Sequence, residues 1–336
     1  MSYKIFVIDP GSTSTKLALF EDDKEALNVC VSHDSKELLS ATSVNDQLWY
    51  RMHTIEEFLS ENNIDLHGVD AIVGRGGSVL PVKSGTYEVN ERLLEDTVNC
   101  VGGFMHPSIL GIQLGKRLQT KYGGRLFMVD PICVDEYCDE ARFTGIKGIT
   151  RNSIGHALNL KGTAKKHCLE NGIDINHSNF IVGHIDGGIT ICAMQNSLMI
   201  DGNNACGGDG PFTPTRTGSI AVIDLLNYIE AGHSHEEIRT MCAGAGGFVN
   251  YFNDNDGDNM MERVKAGDEL SVRVWNAFCY NLAKAIGSMS CVLSGQVDGI
   301  ILTGRYVRFK EMIDYLTEKC GWIAPIYVYQ NEVELE

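Results

Sequence analysis

Asp9-Pro10-Gly11-Ser12-Thr13-Ser14-Thr15-Lys16 is the stretch on which the reading of this chain turns. It follows the apolar run Tyr3-Lys4-Ile5-Phe6-Val7-Ile8 and precedes a second run, Leu17-Ala18-Leu19-Phe20. Two strand-length apolar runs around a short polar segment predict a tight hairpin. Its turn carries one glycine and then four consecutive hydroxyl residues, Ser12 to Thr15. Backbone N–H groups, hydroxyls and a lysine gathered in one turn suit an anion, and phosphate is the usual candidate. A plain Ser/Thr-rich turn has the same composition, so this stretch alone leaves both readings open. Lys16 itself can also face away, because alternate strand residues point to opposite sides.

A second unit of the same kind shifts the balance. Asn179-Phe180-Ile181-Val182-Gly183-His184 reads as a strand, Ile185-Asp186-Gly187-Gly188 as a turn, and Ile189-Thr190-Ile191-Cys192-Ala193-Met194 as the next strand. Ser197 to Asp201 gives a third, as Ala26–Val31 does in the first half. Two strand–turn–strand units predict an α/β chain of two similar domains facing one another, with a nucleotide held in the cleft by both turns. This layout resembles the acetate and sugar kinase, heat-shock chaperone and actin superfamily. That resemblance implies two ribonuclease H-like domains, a duplicated actin-like ATPase fold. The expected boundaries are 1–150, with about 326–336 returning, for an acyl- and phosphate-binding domain. Residues 151–325 would form the nucleotide-binding and dimerisation domain.

Bulk properties agree with this reading. The chain has 336 residues, which favours two domains, and 43% hydrophobic content supplies two cores. A net charge of −16 without a Lys/Arg cluster argues against nucleic acid as a partner. It does not forbid ATP, whose phosphates need only local positive groups. Eleven cysteines occur with no Cys-x-x-Cys pair, scattered through apolar runs and loops. No apolar stretch reaches membrane-spanning length, and the sequence opens on a strand rather than a leader. The expectation is a reduced, cytoplasmic protein with mostly buried or idle thiols and no membrane or zinc site.

Periodicity predicts helices over 46–62, 107–122, 154–171 (with a lysine-rich exposed face), 270–293 and 308–320. Strands are expected at 69–73, 126–129, 299–304 and 326–329. Several exit into charged or glycine-rich loops, where open α/β sheets bind ligands.

Longer segments then agree with one family. Asp9–Lys16, Gly74-Arg-Gly-Gly77, Gly85-Thr-Tyr-Glu-Val-Asn90, Val129-Asp-Pro131 with Val134-Asp-Glu136, and Gly208-Asp-Gly-Pro-Phe-Thr-Pro-Thr-Arg-Thr-Gly218 resemble the butyrate kinases of the acetate kinase group. Gly244-Ala-Gly-Gly247 and Leu302-Thr-Gly304 extend the likeness, which runs in order from about residue 4 to the end. The resemblance implies reversible transfer of the ATP γ-phosphoryl group, assisted by Mg²⁺, to a short-chain fatty acid. The products would be ADP and an acyl phosphate, and the protein a homodimer or larger homo-oligomer. Positioning and charge stabilisation carry most of such a reaction, and a carboxylate nucleophile needs no strong base.

Roles follow residue by residue. Arg75 and Arg216 are the expected grips on the substrate carboxylate and the moving phosphoryl oxygens, since a guanidinium binds either in bidentate fashion. Asp130 matches a residue tied to Mg²⁺ and catalytic positioning. His156 matches the family's active-site histidine and would donate a hydrogen bond rather than act as a base. His106 matches a substrate-side histidine and His184 one beside the nucleotide. Gly11, Ser12, Ser14 and Lys16, with Asp9, line the first phosphate turn. Asp186, Gly187 and Gly188 line the second. Gly244, Gly246, Gly247, Gly304 and Arg305 would border the adenosine pocket. Glu334 matches a glutamate that assists Mg²⁺.

Four departures from the family pattern stand out. Asp9 replaces the usual asparagine, and Asp186 stands where the second turn usually has glycine. Both put carboxylates beside expected phosphates. Arg305 replaces the second glycine of Thr-Gly-Gly and could stack on adenine. The sequence ends at Glu336, where the pattern implies one more helix. An active kinase for butyrate or a branched relative such as isobutyrate is one reading. A divergent, non-catalytic paralogue binding nucleotide or acyl phosphate is the other. Phosphoryl transfer to another carboxylate or a sugar is a third, outweighed by the butyrate kinase segments.

Overall fold

The structure, a computed structural model, describes residues 2–11, 13–103 and 105–330. The chain divides into two compact units between Val134 and Asp135.

In the first unit, β1 (Lys4–Pro10), β2 (Ser14–Glu21) and β3 (Lys24–Ser32) form an antiparallel meander. β4 (Ala71–Arg75) and β6 (Arg125–Val129) extend it in parallel beyond β1, and the short β5 (Thr86–Glu88) closes the far edge. The order is β3-β2-β1-β4-β6-β5. Phe6, Ile8, Leu17 and Ile72 face one side and pack with Met52, Ile55 and Leu59 of the helix Leu48–Glu61 and with Leu110, Leu114 and Leu118 of the helix Leu110–Tyr122. Val7, Ala18 and Val73 lie on the opposite face, as period two requires.

The second unit repeats the design. β7 (Asn179–Ile185), β8 (Ile189–Gln195) and β9 (Leu198–Gly202) form the meander. β10 (Gly299–Thr303) and β11 (Ile326–Tyr329) add parallel strands, giving β11-β10-β7-β8-β9. Its core joins β7, β8 and β10 to the long helix Glu269–Val292 through Trp275, Phe278, Leu282 and Ile286. The twofold repetition of strand order matches the duplication read from the two turns.

Two expected boundaries move. The division falls at Val134/Asp135 rather than near 150, because polar ties bind the intervening stretch to the second unit. Glu136 pairs with Lys161 at 2.9 Å and accepts the Met199 N–H at 3.0 Å, and Cys138 N–H donates to Ile200 O at 2.9 Å. Residues 326–329 do not return to the first unit: Ile300 pairs with Ile326 and Thr303 with Tyr329 in the second sheet. Residues beyond 330 lie outside the described region.

The lysine-rich face of the helix Ala157–Asn171 also needs correction. Lys161 is buried, donating to Ser197 O at 2.6 Å as well as pairing with Glu136. Helices over Val222–Glu230 and Gly257–Lys265 were not expected from the sequence. Nor was the π-turn Met241–Ala245, which overlaps the Gly244–Gly247 segment.

All eleven cysteines are free of disulfides, and burial pushes the Cys192 and Cys279 thiols up to about 12. Among the described residues no helix is long and apolar enough to cross a membrane.

One buried cluster has a pH signature. Thr15 Oγ1 lies 2.7 Å from His33 Nε2 and 3.3 Å from Nη1 of the fully buried Arg51. Burial first, and the Arg51 charge second, hold His33 down at about 4 from 6.5. The unfolded chain therefore takes up a proton that the folded unit refuses. The stabilisation is fully present above about pH 6.5. It should fall by on the order of 2 kcal/mol as the pH drops to about 4. Melting temperatures over this window should decline more steeply for the parent protein than for His33→Asn. Parallel profiles would remove His33 as the cause.

Candidate active site

The first unit gathers its charged candidates at neighbouring strand ends. β1 and β4 run in parallel with Ile8 opposite Gly74, and β4 and β6 with Arg75 opposite Val129. Asp9, Arg75 and Asp130 therefore succeed one another across the C-terminal edge of the sheet. Arg75 Nη1 donates to Asp9 Oδ1 at 3.0 Å, with side-chain exposures of 14% and 5%. Lys16 pairs in register with Asp9 and so shares its face.

The glycines beside Arg75 have a steric reason. A Cβ on Gly74 would sit 2.5 Å from the backbone of Gly111, and one on Gly77 2.6 Å from Ser108 Oγ. The helix Leu110–Tyr122 thus rests backbone to backbone on β4 and fixes where Arg75 emerges.

Asp130 is buried and adopts a left-handed φ of +37°. Its Oδ1 accepts the Gly85 N–H at 2.7 Å, and its N–H donates to Gly85 O at 3.1 Å. This clamp explains the match at Gly85–Asn90 and stabilises a costly conformation. His106 Nδ1 accepts the Ser108 N–H at 3.1 Å, which leaves the ring proton on Nε2.

The first turn differs in one respect from the reading of its sequence. The Gly11 N–H donates to Ser14 O at 2.8 Å, so the turn closes on itself. Ser14 O also accepts from Arg51 Nη1 at 3.2 Å. Arg51 escaped notice in the sequence. The available signal was a charge four residues before Ile55, on the apolar face of a helix. Ser12 and Glu334 lie outside the described residues.

In the second unit the histidines are brought together. His156 and His184 stack with ring centroids 4.1 Å apart. Asn159 Nδ2 lies 2.7 Å from His184 Nδ1, and Thr190 Oγ1 lies 2.8 Å from His156 Nδ1. Thr190 Oγ1 also accepts the His156 backbone N–H at 3.4 Å, so one hydroxyl holds both the backbone and the ring of His156 in place.

Arg216 converges on the same place. A Cβ on Gly188 would overlap Arg216 Nη1 and come within 3.0 Å of His156 Cε1. Only glycine leaves room for this pair of side chains.

Threonines carry the Arg216 loop. Thr213 Oγ1 donates to Gly187 O at 2.5 Å and accepts the N–H groups of Thr215 at 3.1 Å and Arg216 at 2.9 Å. Thr215 Oγ1 donates to the same Gly187 O at 2.8 Å. The loop is thereby bolted to the Ile185–Gly188 turn. Arg216 Nη1 further donates to Ala205 O at 3.0 Å. Neither threonine was singled out in the sequence, where a hydroxyl in a loop carries no distinguishing pattern.

The expected adenosine border is dispersed. Gly246 N–H donates to Thr215 O at 3.0 Å, and Gly247 packs on the Thr213 carbonyl at a φ of +57°. Both therefore serve the Arg216 loop. They line a cavity of about 470 Å³ together with Phe212, Tyr228, Asn250 and Tyr251. Gly244 lies within the π-turn. Gly304, at φ +99°, lies against Ile185, where a Cβ would meet the carbonyl oxygen at 2.5 Å.

Arg305 and Asp186, two separate departures in the sequence, are one ion pair. Arg305 Nε donates to both carboxylate oxygens at 3.0 and 2.8 Å, and Nη2 donates to Oδ1 at 2.7 Å. Burial pushes the Asp186 carboxyl up, but the Arg305 hydrogen bonds and the charges of His184 and Arg305 outweigh it and hold it at about 2.

The Acetokinase family profile matches residues 160–307. Butyrate kinase 2 of Clostridium acetobutylicum is 40% identical over 336 residues, covering 100% of this chain and 94% of that protein. A probable butyrate kinase of Listeria innocua is 39% identical, covering 100% and 95%. Among solved structures, a propionate kinase from Francisella tularensis superposes with a TM-score of 0.76 at 18% identity, covering 99% of this chain and 98% of that one. Porphyromonas gingivalis acetate kinase gives 0.76 at 18% identity, covering 96% and 88%. Fold and full-length identity agree, and the chain belongs to the butyrate kinase family.

Proposed function

We propose that this protein is a short-chain fatty acid kinase that transfers the ATP γ-phosphoryl group to butyrate and releases butyryl phosphate and ADP, reversibly. The observation that carries the chemistry is the meeting of Arg216 and the His156 ring over Gly188. A guanidinium and an imidazole gathered at one spot are suited to the oxygens of a transferring phosphoryl group. Arg75, held by the Asp9 carboxylate at a strand end, is suited to the acid's carboxylate.

Mg²⁺ needs one or two carboxylates beside phosphate and water oxygens. Asp130 and Asp9 are oxygen donors of that kind at neighbouring strand ends, and Glu334 is a further candidate. When bound, the ion would neutralise phosphate charge. The chain's own residues orient the acid, hold the stacked histidine rings in place and tie Arg216 to the second turn. We further propose a homodimer joined through the second unit and a cytoplasmic location.

A second reading, a non-catalytic paralogue that binds nucleotide or acyl phosphate, draws on the carboxylates of Asp9 and Asp186. A single assay separates the two. The purified chain is incubated with ATP, Mg²⁺, butyrate and hydroxylamine, and butyryl hydroxamate is measured. Hydroxamate that depends on both ATP and butyrate is the expected result. None with butyrate, isobutyrate or other short acids would overturn the kinase reading.

A further inference from the structure

The second phosphate turn already holds an anion of its own. The Asp186 carboxylate accepts three hydrogen bonds from Arg305 and a fourth, at 2.6 Å, from the Gly187 N–H. A guanidinium and the first N–H of a glycine turn are the donors an incoming phosphate oxygen would seek. The Asp186 side chain is 10% exposed, whereas that of Arg305 is 71% exposed. The pair borders a cavity of about 160 Å³, shared with Gly187, Thr215 and Arg308. Arg308 is itself paired with Asp258 at 2.9 Å. The Gly304 backbone, seated on Ile185, keeps Arg305 beside the turn.

We propose that Arg305 is a phosphate-binding residue of the donor site, and that the Asp186 carboxylate occupies its seat on Arg305 and the Gly187 N–H until a donor phosphate replaces it. The exchange breaks no covalent bond. One oxyanion leaves four hydrogen bonds and another takes them, and the displaced carboxylate turns to solvent. A polyphosphate carries more charge than a carboxylate and can win the exchange, at the cost of the affinity spent on displacement. The two departures at 186 and 305 thus compensate one another: Arg305 cancels the acid that would otherwise repel the donor. The inference rests on the kinase reading only in taking the ligand to be a phosphoryl donor.

Calorimetry with two probes, MgADP and magnesium pyrophosphate, tests it on the full chain. Asp186→Asn keeps the shape of the seat and removes its charge. It should bind both probes about tenfold tighter than the parent. Adding Arg305→Ala to Asp186→Asn should then weaken binding about tenfold or more. Arg305→Ala alone leaves the carboxylate beside the turn without this guanidinium and should bind most weakly of the set. Asp186→Gly repeats the test should Asp186→Asn fold poorly by thermal melting.

Binding by Asp186→Asn and Asp186→Gly no tighter than the parent would overturn the proposal. So would an Arg305→Ala change without effect in the Asp186→Asn background, or probe binding by none of the variants. Hydroxamate formation by the parent protein reports on the kinase reading separately. Hydroxamate with an unmoved affinity series sinks the seat alone. The expected affinity series without hydroxamate sinks the kinase reading and leaves the seat standing.

Discussion

Arg75→Ala should lower kcat/KM for butyryl phosphate formation by about 10³-fold or more, a loss of roughly 4 kcal/mol of transition-state stabilisation. Arg75 leaves β4 beside the Asp9 carboxylate, 14% exposed and fixed in place by the backbone contact of Gly74 with Gly111. A guanidinium preorganised in this way loses little freedom when it engages an oxyanion. Were it to grip only the resting carboxylate, KM for butyrate would rise with kcat unchanged. Contact with the moving phosphoryl group requires kcat to fall as well, and that is the expected pattern.

Arg75→Lys retains a charge without the planar fork and should recover only a small part of the loss. The substitution to alanine also leaves the 5%-exposed Asp9 carboxylate without this guanidinium, so the melting temperature should drop. Asp9→Asn combined with Arg75→Ala should restore stability and not activity, which separates the two effects. A kcat/KM for Arg75→Ala within tenfold of the parent would exclude Arg75 from the reaction.

Gly247→Ala should cost the second unit about 4 kcal/mol, chiefly through steric overlap. Gly247 sits at φ +57°, a conformation that disfavours any Cβ, and its added carbon would overlap the Thr213 carbonyl oxygen. Two penalties act together, because neither the backbone angle nor the opposing carbonyl can relax without moving the other. The element displaced would be the Thr213–Thr217 loop, whose Thr213 and Thr215 hydroxyls tie Arg216 to Gly187. Chemical denaturation should show the midpoint fall, and whatever fraction remains folded should have a reduced kcat. Gly244→Ala is the control, since a Cβ there meets no atom within 4 Å. Equal stability of the two variants would refute the steric account.

Much of the fold was open to a reader of the sequence. The Asp9–Lys16 and Ile185–Gly188 turns sit between apolar runs, and burial of those runs makes strands almost regardless of context. Both sheets carry the meander and the two parallel strands that such a duplication implies. Asp9, Arg75 and Asp130 could be placed at strand exits because a chain leaving a parallel strand must pass the ligand-binding edge of the sheet. His156 and Arg216 were reached through the resemblance of their segments.

Other features were silent for physical reasons. Lys161 reads as one more lysine on a solvated helix until the partner Glu136, twenty-five positions earlier, buries it. Thr213 and Thr215 gain their importance from a single carbonyl, Gly187 O, reached only after the chain has crossed β8 and β9. The stretch 135–150 joins the second unit through the ties of Glu136 to Lys161 and Met199 and of Cys138 to Ile200, which no local pattern announces.

The sequence by itself determined the strands, the turns and the family, because apolar periodicity and glycine-bearing turns act within a few residues. The tertiary structure alone decided the meaning of the departures. Asp9 reads as a repelling acid until Arg75 stands 3.0 Å away, and Asp186 and Arg305 read as two separate intrusions until they meet at 2.7 Å. Electrostatic free energy depends on distance through the folded chain, and 119 residues of sequence separate the second pair.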